Sequence, residues 1–151
     1  MFAKAFIIAS FCVAASLQWT QFKSCGDPTH DPHRLIVDGC STFPCVIHTK
    51  YGVAAQWDFF ASKDTEVLKP KAEFSVGGSW YLPYPLGIDD GCQNLVSRRQ
   101  CPLETGDVAT YNLNMDIPAG TPPGVTVWVR FSLKDDNYNT HSCFEVEFRT
   151  V

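Results

Sequence analysis

The chain has 151 residues, with 12 Lys and Arg against 16 Asp and Glu, for a formal charge of -4. That length suits one domain rather than several. A mildly acidic balance with scattered basic residues argues against a nucleic-acid partner.

The first segment is read as residues 1–16, a secretory signal peptide. Lys4 precedes the apolar run AFIIASFCVAAS, which ends in small residues and sets a cleavage point near Ala15 or Ser16. A buried N-terminal helix is the alternative, and the run is short for a membrane span. Residues 17–151 form the expected domain, about 135 residues, enough for one sizeable core. Losing Lys4 takes the charge from -4 to -5. The expected location is extracellular.

Cys12 leaves with the leader. Cys25, Cys40, Cys45, Cys92, Cys101 and Cys143 remain. An even number in a secreted chain implies three disulfides, but six cysteines allow fifteen pairings. Cys40 with Cys45 and Cys92 with Cys101 are the simple local choices, which leaves Cys25 for Cys143. Spacing alone does not select among the alternatives. The spacings fit no paired zinc knuckles, so no metal is expected.

Alternation of apolar and polar residues dominates the rest of the chain, and helical periodicity is nearly absent. LIV at 35–37 reads as a short strand. In VAAQWDFFA, positions 53, 55, 57, 59 and 61 are apolar, with Gln56 and Asp58 between them. In LKPKAEFSV, Leu68, Pro70, Ala72, Phe74 and Val76 share one side. Pro70 has no N–H to give, so the start of that strand belongs at an edge. GGSWYLPYPLGIDDGC, from Gly77 to Cys92, is too rich in proline for a buried strand and too aromatic for a plain loop. Only LPY at 82–84 in it reads as strand.

In DVATYNLNMDI, Ala109, Tyr111, Leu113, Met115 and Ile117 face one way. The odd positions from Val125 to Leu133 are all apolar, with Thr126, Trp128, Arg130 and Ser132 opposite. Phe144, Val146 and Phe148 alternate with Glu145, Glu147 and Arg149. A period of two gives strands with one buried and one wet face. Turn residues at 62–66, 77–79, 89–91, 120–124 and 135–139 separate about seven strands. The total is an all-β antiparallel sandwich. The bulky residues of Gly77–Cys92 are expected to form the lip of a pocket between the sheets, since aromatic-lined apolar pockets are ordinary ligand sites.

Enzyme chemistry is not expected. HDPH at 30–33 has ligand-type residues but reads as a surface loop around Pro32. No nucleophile-elbow sequence is present. Asp89–Asp90 and Asp135–Asp136 are neighbours at turns, not facing carboxylates.

Four stretches taken together resemble the ML lipid-recognition family, in particular its Niemann-Pick type C cholesterol-binding-like secreted members of arthropod type. These are FKSCG at 22–26, CSTFPC at 40–45, LPYPLGIDDGC followed by Cys101-Pro102, and VTVWVRFSLKDDNYNTHSCFEVEF. The resemblance covers roughly residues 19–151. It implies an immunoglobulin-like β-sandwich of two antiparallel sheets with a lipid cavity between them. It also implies the pairings Cys25–Cys143, Cys40–Cys45 and Cys92–Cys101.

The implied activity is non-enzymatic carriage of a small hydrophobic lipid: a sterol, a fatty acid or a semiochemical. No cofactor is implied, and a transient membrane or receptor contact is a further partner expectation. The resemblance puts Tyr111 on a strand that approaches ligand, and Phe74 on the facing strand. It puts Trp80, Leu82, Tyr84 and Pro85 on the entrance segment. With the inward stripes, the expected ligand-binding set adds Trp57, Phe59, Val76, Leu113, Met115, Val129, Phe131, Phe144 and Val146. Trp128 alternates with that set and is expected as an exposed platform. No N-glycosylation sequon is present, since Asn139-Thr140 is followed by His141. Two further readings stand beside the carrier: an innate-immune glycolipid module using Lys69, Lys71, Arg98 and Arg99, and an interaction protein with a filled core.

Overall fold

The computed structural model describes residues 18–151. The signal-peptide expectation for residues 1–16 lies outside them.

Among the described residues, nine strands build two sheets. They are β1 (Lys23–Ser24), β2 (Arg34–Val37), β3 (Cys45–Ile47), β4 (Val53–Phe60), β5 (Lys69–Ser75), β6 (Leu82–Tyr84), β7 (Val108–Met115), β8 (Thr126–Lys134) and β9 (Thr140–Thr150). The larger sheet runs β1-β9-β8-β5-β6, with β3 added in parallel to the end of β9. The smaller runs β2-β4-β7. The other pairs are antiparallel. The result is the expected all-β sandwich.

The alternation read along the chain is the alternation of burial. In β4, Val53, Ala55, Trp57 and Phe59 are buried; in β7, Ala109, Tyr111 and Leu113 are. β5 lies inside its sheet, but β6 reaches only Ala72–Phe74. Pro70 therefore faces β8 on one side and no strand on the other, which suits a residue without a donor.

Two strands beyond the expected seven are β1 and β3. They have two and three residues, too few to show a period.

The alternation fails at several places, Ser132 among them, and at two of these the physical reason is plain. Strand β5 ends at Ser75, so Val76 escapes the pleat and is 68% exposed, while Ser75 is buried. Glu145 belongs to the outer face of β9 yet is only 2% exposed. Arg130 covers it, donating from Nε at 3.0 Å and from a terminal nitrogen at 2.7 Å. Lys23 adds an ion pair at 3.2 Å, and the Arg130 guanidinium stacks 3.8 Å over the Tyr81 ring. Burial pushes the Glu145 carboxyl up, but the bonds from Arg130, Lys23 and Tyr81 outweigh it and leave a net downward shift.

The three disulfides are Cys25–Cys143, Cys40–Cys45 and Cys92–Cys101. The first closes a span of 118 residues. By the chain-entropy model, closing so long a loop is worth about 4–5 kcal/mol. It ties the start of the described chain to β9, beside the buried Phe144.

Candidate functional site

Strand register sorts the space between the sheets into levels. At one level Trp57 pairs with Tyr111 in the small sheet, and Phe131 pairs with Phe144 in the large one. The four rings meet across the gap. Trp57 lies 4.9 Å from Tyr111, 5.0 Å from Phe144 and 6.2 Å from Phe131. Aromatic contacts of this kind are worth about 0.5–1.5 kcal/mol each beyond burial. This half is solid.

Four residues back along β4 the pairs are Val53 with Met115, and Val127 with Phe148. Three of these four side chains are aliphatic and no longer meet across the gap. A cavity of about 240 Å³ opens between them. Its walls are Ile47, Val53, Phe74, Val76, Met115, Val127, Val129 and Phe148. Tyr84 closes one edge, and Ile117, Pro118, Thr121, Pro122 and Val125 close the end. A shallower cleft of about 120 Å³ continues past Phe74 and Val76 to Trp80 and Leu82.

Tyr84 has a second function in the architecture. β6 is one edge of the large sheet and β7 one edge of the small sheet. The Tyr84 hydroxyl donates to the Asp116 carbonyl at 2.7 Å, just past the end of β7. That bond fastens the two sheets together beside the cavity. The segment 117–125 is pinned in turn to the end of β9. Gly124 N donates to Thr150 O at 2.7 Å, and Thr150 Oγ1 donates to Pro122 O at 2.8 Å. Gly52, immediately before Val53, has φ +74, and a Cβ there would sit 2.6 Å from the Met115 carbonyl. Only glycine lets the chain enter β4 that close to β7.

Of the residues expected to touch ligand, Phe74, Val76, Tyr84, Met115 and Val129 line the cavity. Trp80 and Leu82 line the side cleft. Trp57, Phe59, Tyr111, Leu113, Phe131, Phe144 and Val146 are buried in the core and do not line either space. Pro85 is exposed and lines neither. The Tyr111 hydroxyl lies beside Gly91, where an added Cβ would sit 3.1 Å from it. Burial first, and then the charge of Asp90, push its pKa up. Trp128 is half-buried on the outer face, with Phe43 6.2 Å away and the Lys23 ammonium 5.5 Å from its ring.

Ile117 and Val125 lay on apolar stripes, but Pro118, Thr121 and Pro122 of the end wall were not marked in the sequence. Prolines and threonine methyls supply its apolar surface, and neither leaves a period. Ile47, on the three-residue β3, was silent for the same reason. Val53, Val127 and Phe148 did lie on the apolar stripes, but a stripe does not distinguish wall from packing.

Larger clefts lie elsewhere on the surface. One of about 480 Å³ is lined by Asp64, Glu66, Glu104, Asp135 and Asp136 among others, away from the space between the sheets. Lys69 pairs with Asp136 at 2.6 Å and Lys71 with Glu73 at 2.7 Å, so neither is a free cation for an acidic headgroup.

The ML domain family model matches residues 19–150. The chain belongs to the ML domain family. Among curated relatives, a mite group 2 allergen of Tyrophagus putrescentiae is 34% identical over 122 residues, 80% of each chain. The NPC intracellular cholesterol transporter 2 of Danio rerio is 24% identical over 146 residues, 96% of this ML domain chain and 94% of that one. Among solved structures, a Niemann-Pick type C2 protein from Japanese carpenter ant superposes with a TM-score of 0.74 at 19% identity. It covers 87% of this chain and 99% of that one. The structural likeness establishes the shared sandwich.

Proposed function

We propose that this ML domain is a secreted, non-enzymatic carrier that holds one small hydrophobic lipid between its sheets. The carrying observation is the 240 Å³ cavity, walled by aliphatic and aromatic side chains at one end of an otherwise solid sandwich. Moving apolar surface out of water yields roughly 25 cal/mol per Å², so binding needs neither charge nor metal. The name of the Danio rerio relative, a cholesterol transporter, supports a lipid as the cargo. Three disulfides support an oxidising, extracellular setting.

In this reading Phe74, Val76, Tyr84, Met115 and Val129 contact the lipid, and Trp57, Tyr111, Phe131 and Phe144 keep the floor rigid. Val76 and Trp80, 68% and 70% exposed beside the mouth, are where a transient membrane or receptor contact would fall.

Native mass spectrometry of protein isolated from its source should show a bound neutral lipid. That lipid should exchange saturably with vesicles. Protein that carries nothing displaceable and takes up no lipid would favour the filled-core interaction protein instead.

A further inference from the structure

The outer face of the large sheet carries a charged cluster that lines neither the cavity nor the side cleft. At one level Glu73, Arg130 and Glu145 lie side by side on β5, β8 and β9, with Lys23 of β1 beyond them. Glu145 is buried there, and both bonds from Arg130 end on one carboxylate oxygen, Oε1. Held by its edge, the planar guanidinium keeps a face free. Tyr81 covers that face at 3.8 Å.

Tyr81 ends the segment 76–81, which joins β5 to β6. Outside that strand pairing, no described residue shares a backbone hydrogen bond with 76–81. Gly77 and Gly78 turn the segment at φ +89 and +75, conformations that glycine takes without strain. Gly78 lies against Trp128, where an added Cβ would sit 3.3 Å from the indole. Packing on Arg130 and Trp128 therefore fixes where the segment stands. Trp80, next to Tyr81 in the chain, walls the side cleft with Phe74, Ser75, Val76 and Leu82. Phe74 and Val76 also wall the main cavity, so the two spaces adjoin.

We propose that the stack of Tyr81 on Arg130 is a clasp that holds Trp80 as a wall of the side cleft, and so sets how fast a bound lipid leaves. This rests on the carrier reading above. Tyr81 is a positioning residue: it acts through Trp80 and touches no lipid itself. The buried carboxylate of Glu145 orients the guanidinium that the clasp uses. With the stack broken, 76–81 pivots at Gly77 and Gly78, the cleft widens, and the lipid exits sooner.

The test follows a neutral fluorescent probe, N-phenyl-1-naphthylamine, binding to and leaving the intact chain. Stopped-flow mixing over a series of protein concentrations separates the two rates. Tyr81→Ala should speed dissociation about fivefold, the worth of one cation–π contact expressed as a rate. Tyr81→Phe keeps the ring and should stay within about twofold of the wild type. In protein labelled with 5-fluorotryptophan, the fluorine resonance that vanishes in Trp128→Phe identifies Trp128. That resonance should shift in Tyr81→Ala and hold its place in Tyr81→Phe. If Tyr81→Ala does not fold, Tyr81→Leu, which keeps bulk without an aromatic face, is read instead. A dissociation rate unchanged by Tyr81→Ala, an unmoved Trp128 resonance, or a Tyr81→Phe as fast as Tyr81→Ala each overturns the clasp and leaves the carrier reading standing. A wild-type chain that binds no probe overturns both.

Discussion

The two halves of the inter-sheet space are built from the same strands, and one is full while the other is not. The difference is side-chain size at equivalent levels. Trp57, Tyr111, Phe131 and Phe144 meet across the gap, whereas Val53, Met115 and Val127, with Phe148, leave it unfilled. Interiors normally pack as densely as organic crystals, so a gap this size is a departure that needs support. Support comes from the closed half and from the fastenings around the rim. The lesson is that stability and cargo space are assigned to different levels of one pair of sheets.

The strongest challenge to that division is Trp57→Ala. Truncating a buried aromatic costs about 3–5 kcal/mol. Trp57→Ala should therefore lower the midpoint of chemical denaturation far more than Phe74→Ala, whose ring already borders empty space. Equal losses at the two sites would mean that the halves are not mechanically distinct.

The next test works in the opposite direction. Val127→Phe adds volume where volume is free, so stability should change by less than about 1 kcal/mol, against the 1–3 kcal/mol typical of overpacking. Calorimetric unfolding checks that figure.

A smaller, pH-dependent effect belongs to the solid half. His141 is fully buried, accepts from Ser62 N at Nδ1 (3.1 Å), and has Nε2 3.5 Å from Asp135. Burial lowers its pKa more than the charge and hydrogen bond of Asp135 raise it, and His30 lowers it further. The folded state thus resists protonation that the unfolded chain accepts near about pH 6.5. Its contribution is fully present above that pH and is lost as the pH falls through the lower folded value. Asp135 acts in the same direction at lower pH. Burial raises its pKa, but bonds from Asn139 and Asn137 outweigh it and hold it below the usual carboxylate range. Stability should therefore decline from pH 7.5 to pH 5, and His141→Gln should flatten that slope, as read by denaturant titration at both values. A slope that survives the substitution would place its origin elsewhere.

Much of this was legible in the sequence, because β4, β7, β8 and β9 carry long, regular alternation. The disulfide partners followed from the family resemblance and not from spacing. Other features were not legible. β1 and β3 are too short for a pattern. Val76 shares the stripe of Phe74, but the stripe does not say that the strand stops at Ser75. Glu145 is buried because Arg130, Lys23 and Tyr81 converge on it from three strands or loops, and only the sheet order brings them together. The aromatic segment 77–92 drew attention away from 117–125, since rings are conspicuous and proline rims are not. Of the bulky residues in that aromatic segment, Tyr84 alone borders the main cavity; Trp80 and Leu82 border the side cleft.

The phenol at position 84 is also a spacer. Its length, from the backbone of β6 to the Asp116 carbonyl, sets the calibre of the slot along that flank. A chain with leucine there would lose both the strut and its fixed reach, and the flank could collapse or gape. Capacity can thus be retuned at a single rim position without touching the aromatic floor.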